Sequence, residues 1–259
     1  MSGPSTTYGV IGVGSLAAAI VTGLCLDDPP PVVLSPRSAV TSADLAARLE
    51  TVWVAADNQA VVDAADVVLV CVLPHQLVDV LGELRFRPDQ LVLSVAAGVA
   101  LEKVARLAAP AARVARAMPL PSVARRAGST PVHPPLPEVV ALFDRLGGAI
   151  AAPEERTFQA LTVPAATIGA HFALLGTLAR WLADHGMAEP DARRYVAATF
   201  AGLVGELEGT PDFDALVREV STPEGLNQQL VQHLRDAGVA EILRSGLDGV
   251  LDRLIVAEN

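Results

Sequence analysis

Two glycines and an alanine near the start of the chain carry the clearest chemistry. In Tyr8-Gly9-Val10-Ile11-Gly12-Val13-Gly14-Ser15-Leu16-Ala17, an apolar run ends in a glycine-rich turn, and Ala18-Ala19-Ile20-Val21 continues as helix. Strand, tight turn and helix in that order make a dinucleotide site. Gly12 allows the sharp turn. Gly14 leaves the backbone bare where a pyrophosphate must approach. Ala17 is small enough for close packing of helix on strand. The helix N-terminus, with Ser15, Leu16 and Ala17 in its first turn, offers unpaired N–H groups and the positive end of a dipole to the phosphates.

The residues after the second strand select the dinucleotide. A carboxylate there would bond a ribose 2′-hydroxyl and repel a 2′-phosphate. The chain has Ser35-Pro36-Arg37-Ser38, and no carboxylate until Asp44. Ser35 and Ser38 can donate to phosphate oxygens, and Arg37 brings charge and a planar fork. The expected cofactor is NADP(H), with NAD(H) second. The strand ending at Val72 runs into Leu73-Pro74-His75-Gln76, where Pro74 fixes the turn and Gln76 faces the cleft. His75 is read as a solvent-facing turn residue before a proton donor. Ser94-Val95-Ala96-Ala97-Gly98 closes a further strand with small residues, which suits a flat ring packed against backbone.

The elements that must hold these residues alternate. Strands are expected at 32–34, 52–54, 66–72, 91–95, 113–117 and 149–151, and helices at 42–49, 58–64, 77–84, 101–108 and 137–146. Alternation of this kind means α/β architecture, a Rossmann-like, doubly wound parallel sheet. After Pro153 the apolar spacing turns helical: 154–185 with Pro164 as the one interruption, 190–208, 213–220, 223–236 and 239–256. The expected domains are residues 1–152, binding the dinucleotide, and an all-α domain over 153–259.

The chain has 259 residues, 51% of them hydrophobic and 4% aromatic, so its core is mostly Ala, Val and Leu. A net charge of −10 with no basic stripe argues against a nucleic-acid partner. Cys25 and Cys71 lie in apolar runs and read as buried thiols. The five His residues lack ligand spacing, so no metal site is expected. No uninterrupted apolar stretch reaches a membrane span, no leader segment precedes the turn, and the cytoplasm is the default location. Lys103, the only lysine, falls in a polar helical stretch, which counts against a Schiff base. The apolar helix faces of the second domain suggest a subunit interface.

Taken together, the segments resemble the pyrroline-5-carboxylate reductase family. The matching residues are 9–14 with 17–20, Ser35-Pro36-Arg37, Asn58, 65–68, Pro74-His75-Gln76, 94–99 and Arg116-Ala117-Met118-Pro119. Gly186-Met187, the helix from Pro190 and Ser221-Thr222-Pro223-Glu224-Gly225 fall at its later motifs. The resemblance implies reduction of a small cyclic imine to proline with NAD(P)H, a homodimer through the C-terminal helices, and cofactor contacts from Asn58, Met118 and Pro119. It also implies a substrate loop at Ser221, Glu224, Gly225 and Asn227, with Thr167, Thr222 and His171 as candidates for protonating the imine nitrogen. Three stretches depart from the pattern. Leu120-Pro121-Ser122 replaces Asn-Thr-Pro. Residues 165–171 replace Ser-Gly-Ser-Gly-Pro-Ala-Tyr. Glu224, Leu226 and Asn227 stand where the family has Gly, Thr and Thr. Three readings follow: a proline-forming reductase with a divergent pocket, a relative acting on another imine or carbonyl, and a non-catalytic NADP-binding dimer.

Overall fold

The computed structural model describes residues 6–207 and 212–258. Its sheet is built from β1 (Tyr8–Ile11), β2 (Val32–Leu34), β3 (Val52–Val54), β4 (Val67–Val70), β5 (Leu91–Ser94), β6 (Arg113–Ala117), β7 (Thr130–His133) and β8 (Ala149–Ala151), in spatial order β3-β2-β1-β4-β5-β6-β7-β8. The helices between them are α1 (Ser15–Leu24), α2 (Ala39–Arg48), α3 (Asn58–Ala64), α4 (Leu77–Gly82), α5 (Leu101–Leu107) and α6 (Pro137–Arg145), with α7 (Glu155–Thr162) after β8.

Strand residues alternate between two cores. Val10, Leu34, Leu69 and Leu93 join Ile20, Leu24 and Phe143 on one face. Their chain neighbours Ile11, Val33, Val68, Val70 and Val92 join Val61, Leu77, Leu81 and Val104 on the other. Successive side chains of a strand point to opposite faces, and helices cover both, so β4 is apolar and buried at all four positions. The chain leaves β1 for β2 on one side and resumes at β4 on the other. That reversal opens a crevice beyond the carboxyl ends of β1 and β4, where open α/β sheets bind ligands.

The sheet is mixed rather than wholly parallel. β7, absent from the expected strands, pairs antiparallel with β6, and β8 lies parallel to β7. Its Thr-Pro-Val-His sequence hides it, because Pro131 has no N–H for a ladder and reads against a strand. The Pro131 carbonyl still accepts from Met118 N–H at 3.1 Å. β4 stops at Val70 and α4 at Gly82, each two residues short of its expected end. Pro74-His75-Gln76 forms a 3-10 turn before α4.

The chain divides into two compact units, the first running to Thr162 and the second spanning Val163–Asp252. The first unit holds the sheet and keeps α7, which packs on β7. The last turns, from Arg253, group with it. The second unit comprises a 3-10 turn at Val163–Ala166, then α8 (Thr167–Asp184), α9 (Glu189–Ala201), α10 (Phe213–Val220), α11 (Leu226–Asp236) and most of α12 (Val239–Glu258). Pro164 breaks the expected 154–185 helix into α7 and α8, as a ring without an N–H must. Pro190 sits in the first turn of α9, where it is tolerated. α9 ends at Ala201, and the expected end at Glu208 lies outside the described residues. α11 begins at Leu226, three residues after the expected start.

Ala179, Ala192 and Val196 pack α8 on α9, the one buried apolar cluster of the second unit among the described residues. Phe172, Trp181, Phe213 and Ile242 are each more than half exposed. Residues Glu155–Asp184 are also long and apolar enough, by length and composition alone, to cross a membrane, where the sequence led to the expectation of no such span.

Candidate dinucleotide site

The glycine turn has the geometry its sequence demands. Gly12 has φ +87°, and a Cβ there would stand 2.8 Å from Val72 Cγ1 and 2.9 Å from the Cys71 carbonyl oxygen. Only glycine fits such a position without strain. Gly14 differs. Its backbone is extended, and a Cβ would meet nothing within 4 Å. Its lack of a side chain therefore serves open space, which is what a pyrophosphate needs. Gly14 N–H is spent on the Gly12 carbonyl at 3.0 Å. The N–H groups of Ser15, Leu16 and Ala17 have no intrahelical acceptor. No acidic side chain occupies the first turn of α1.

A cleft of about 460 Å³ opens in front of this turn, lined among others by Gly12, Gly14, Arg37, Asn58, Val72 and Gln76. Asn58 is the first residue of α3, which Asp57 caps by accepting Ala60 N–H at 2.8 Å. The far end of α3 is closed by Gln90 and Arg87. Gln90 donates to the Val62 and Ala65 carbonyls at 2.6 and 2.9 Å, and Arg87 to Ala65 at 2.9 Å. Pro74, His75 and Gln76 form the 3-10 turn at the rim, with His75 exposed. Arg37 is exposed and has no hydrogen bond or ion pair among the described residues. Asp44, the next carboxylate, is bonded to Arg48 at 2.8 Å. The mouth of the cleft thus offers one uncommitted guanidinium, with Ser38 beside it.

Ser35 is placed differently from an exposed phosphate donor. It is fully buried, and its Oγ accepts the Gly12 N–H at 3.1 Å. Cys71 borders the same floor, and burial pushes its thiol up to about 12, so it stays protonated at neutral pH. Ala96, Ala97 and Gly98 follow β5 along the same carboxyl edge, Gly98 at φ +66°, and Ser94 Oγ accepts Ala96 N–H at 3.3 Å. Met118 and Pro119 follow β6, Pro119 being buried. The turn, Arg37, Asn58 and Gln76 share the cleft lining, and the β5 and β6 ends lie beyond it.

Several supports were not legible in the sequence. α1 has no basic residue in its last turn, yet Arg126 donates to the Gly23 carbonyl at 3.0 Å and Arg145 to Leu24 at 2.9 Å. These guanidinium groups satisfy orphan carbonyls and the negative end of the dipole. A second cluster joins β6, β7 and α7. Arg116, 3% exposed at its side chain, pairs with Glu155 and lies 4.7 Å over the Phe158 ring, while His133 Nε2 meets the other Glu155 oxygen at 2.9 Å. Partners this far apart in sequence leave no local pattern.

In the second unit, Thr167 and His171 sit on α8 four residues apart, hence on one face. Thr167 Oγ1 donates to the Pro164 carbonyl at 2.7 Å, and His171 meets the Phe200 ring edge-on at 6.1 Å. The 221–225 loop joins α10 to α11. Glu224 holds φ +59°, in the left-handed region that disfavours side chains. Its N–H donates to Gln228 Oε1 at 2.7 Å, and Asn227 Nδ2 donates to the Val220 carbonyl at 3.0 Å. Gly225 N–H donates to the Thr222 carbonyl at 2.9 Å, and Ser221 Oγ is buried with no partner among the described residues. No hydrogen bond, ion pair or ring contact joins the α8 pair to this loop among the described residues.

Comparison with known proteins agrees with this architecture. Residues 7–98 match the family model described as NADP oxidoreductase coenzyme F420-dependent, and residues 155–254 match the one described as pyrroline-5-carboxylate reductase dimerisation. The chain is 28% identical to pyrroline-5-carboxylate reductase 3 of Xenopus laevis, over 96% of this chain and 95% of that protein. It superposes on a pyrroline-5-carboxylate reductase from Coxiella burnetii with TM-score 0.83 and 23% identity, covering 99% and 100% of the two chains. A pyrroline carboxylate reductase from Plasmodium falciparum with NADP bound gives TM-score 0.81 at 14% identity, covering 98% of each. A dinucleotide fold followed by this dimerisation domain, in one chain of matching length, makes the protein similar over nearly its whole length to pyrroline-5-carboxylate reductases.

Proposed function

We propose that the protein is an NADP(H)-dependent reductase of a cyclic imine, with 1-pyrroline-5-carboxylate, giving proline, as the first substrate to test. The observation that carries this reading is the cleft. It combines a glycine turn open at Gly14 with a guanidinium at Arg37 that has no partner among the described residues. When bound, the cofactor supplies a hydride to the imine carbon. The first-turn N–H groups of α1 hold the pyrophosphate, and Arg37 and Ser38 hold the 2′-phosphate. Asn58, Val72, Pro74 and Gln76 line the way along the carboxyl edge. The small residues Ala96, Ala97 and Gly98, with Met118 and Pro119, border the place for the flat ring.

The imine nitrogen needs a proton as the carbon is reduced. Thr167 has already given its hydroxyl hydrogen to Pro164. The Thr222 hydroxyl is uncommitted among the described residues, which makes it the stronger candidate, with His171 next. Thr222→Val is expected to lower kcat strongly and leave NADPH affinity unchanged. Unchanged turnover would move the substrate site elsewhere.

One observation favours a second reading. Glu224 places a carboxylate in the candidate substrate loop, beside the exposed Leu226. A carboxylated substrate there is repelled, and an uncharged cyclic imine is not. The test is NADPH consumption with pyrroline-5-carboxylate and, in parallel, with an uncharged cyclic imine. Turnover of either supports a reductase and names its class. Oxidation of neither leaves a non-catalytic NADP-binding dimer. The exposed aromatic and aliphatic side chains of α8, α10 and α12 fit burial against a second copy of this chain, and sedimentation of the purified protein checks for the homodimer.

A further inference from the structure

Ser35 lines the cleft, yet it is fully buried and its Oγ is engaged by the protein itself. Its Oγ accepts the Gly12 N–H at 3.1 Å, and its own carbonyl accepts the Ser42 hydroxyl at 2.8 Å. Ser35 N–H donates to the Val10 carbonyl at 2.9 Å. Both serines are fully buried. Three bonds thus pin one residue between β1, the glycine turn and α2. The Gly12 peptide they fix is the one at positive φ whose carbonyl receives Gly14 N–H. Arg37 stands two residues beyond Ser35.

We infer that Ser35 is a positioning residue that holds the glycine turn in its phosphate-binding shape, and that it does not itself contact the 2′-phosphate. This rests on the dinucleotide reading above. The two roles differ in what they discriminate. A donor to the 2′-phosphate matters for NADPH and not for NADH. A brace under the turn matters for the pyrophosphate, which both cofactors carry, and is silent toward adenosine 2′-monophosphate, which has no pyrophosphate. Without the hydroxyl, the half-buried Gly12 N–H loses its acceptor, and the turn moves to find one, at the cost of its order in the free protein.

The experiment is calorimetric titration of wild type, Ser35→Ala and Ser42→Ala with NADPH, NADH and adenosine 2′-monophosphate. Ser35→Ala is expected to weaken NADPH and NADH by the same factor, about tenfold, and to leave adenosine 2′-monophosphate within about twofold. Ser42→Ala is expected to give the same pattern more weakly, and serves if Ser35→Ala does not fold. Arg37→Ala gives the reverse, a loss for NADPH and adenosine 2′-monophosphate alone. Loss of NADPH affinity alone in Ser35→Ala, equal loss of all three ligands, or no loss overturns the inference. Wild type that binds neither dinucleotide overturns the cleft reading as well, and so separates the two failures.

Discussion

Replacing Gly14 and Gly12 by alanine, one at a time, separates binding from folding. At Gly14 the new methyl meets no atom within 4 Å, and φ is −84°, an ordinary value for alanine. The folding cost is that of exchanging a glycine N-cap for alanine, about 1 kcal/mol or less. A chain of this size then melts roughly 2–4 °C lower. The same methyl stands where the pyrophosphate must come, so one or two charge-assisted N–H bonds are lost. At about 1.5–3 kcal/mol each, that weakens NADPH by tenfold to more than a hundredfold. At Gly12 the balance reverses. The methyl falls 2.9 Å from the Cys71 carbonyl oxygen, and φ is +87°. Left-handed backbone costs about 1–2 kcal/mol, and the overlap with Val72 adds about 1–3 kcal/mol. Gly12→Ala should therefore melt several degrees lower still. Thermal melts followed by fluorescence titration with NADPH decide it. Gly14→Ala with wild-type NADPH affinity, or with a melt as depressed as that of Gly12→Ala, refutes the reasoning.

Other expected outcomes follow from single contacts. Arg37→Ala should raise KM for NADPH by more than tenfold and leave KM for NADH nearly unchanged, as steady-state kinetics with each cofactor will show. Glu224→Gly removes both a carboxylate and a side chain at φ +59°, so it should raise thermal stability by about 1 kcal/mol and increase the rate with pyrroline-5-carboxylate relative to an uncharged imine. Glu155→Gln removes the carboxylate that Arg116 and His133 both meet and should lower stability by about 1.5–3 kcal/mol in urea unfolding. Cys71, held protonated up to about 12 by burial, ionises in the unfolded chain near its ordinary value of 9.0. Its folded value is the higher one, so its contribution is complete below pH 9 and is lost as pH rises from there toward 12. Cys71→Ser should flatten that alkaline fall.

The parts legible in sequence were those set by short-range rules. Gly12 announces a positive φ, and β4 announces burial on both faces by its unbroken Val and Leu. Pro164 announces the break between α7 and α8. What stayed hidden depends on distant partners or on a proline in an unusual place. Nothing near Gly23 or Leu24 says that Arg126 and Arg145 will cap α1, about a hundred residues later in the chain. β7 is concealed by Pro131, and its position becomes intelligible only once β6 and β8 lie on either side. Ser35 shows a subtler limit. Its residue type suits a phosphate donor, and only its burial and its bond to Gly12 N–H assign its hydroxyl to the turn instead.

The most direct test of the dinucleotide cleft is calorimetric titration of the purified wild-type chain with NADPH and with NADH. Saturable binding of both, with NADPH the tighter by at least tenfold, is the expected result. No heat and no fluorescence change with either nucleotide would contradict the cleft's assignment, and with it the imine chemistry.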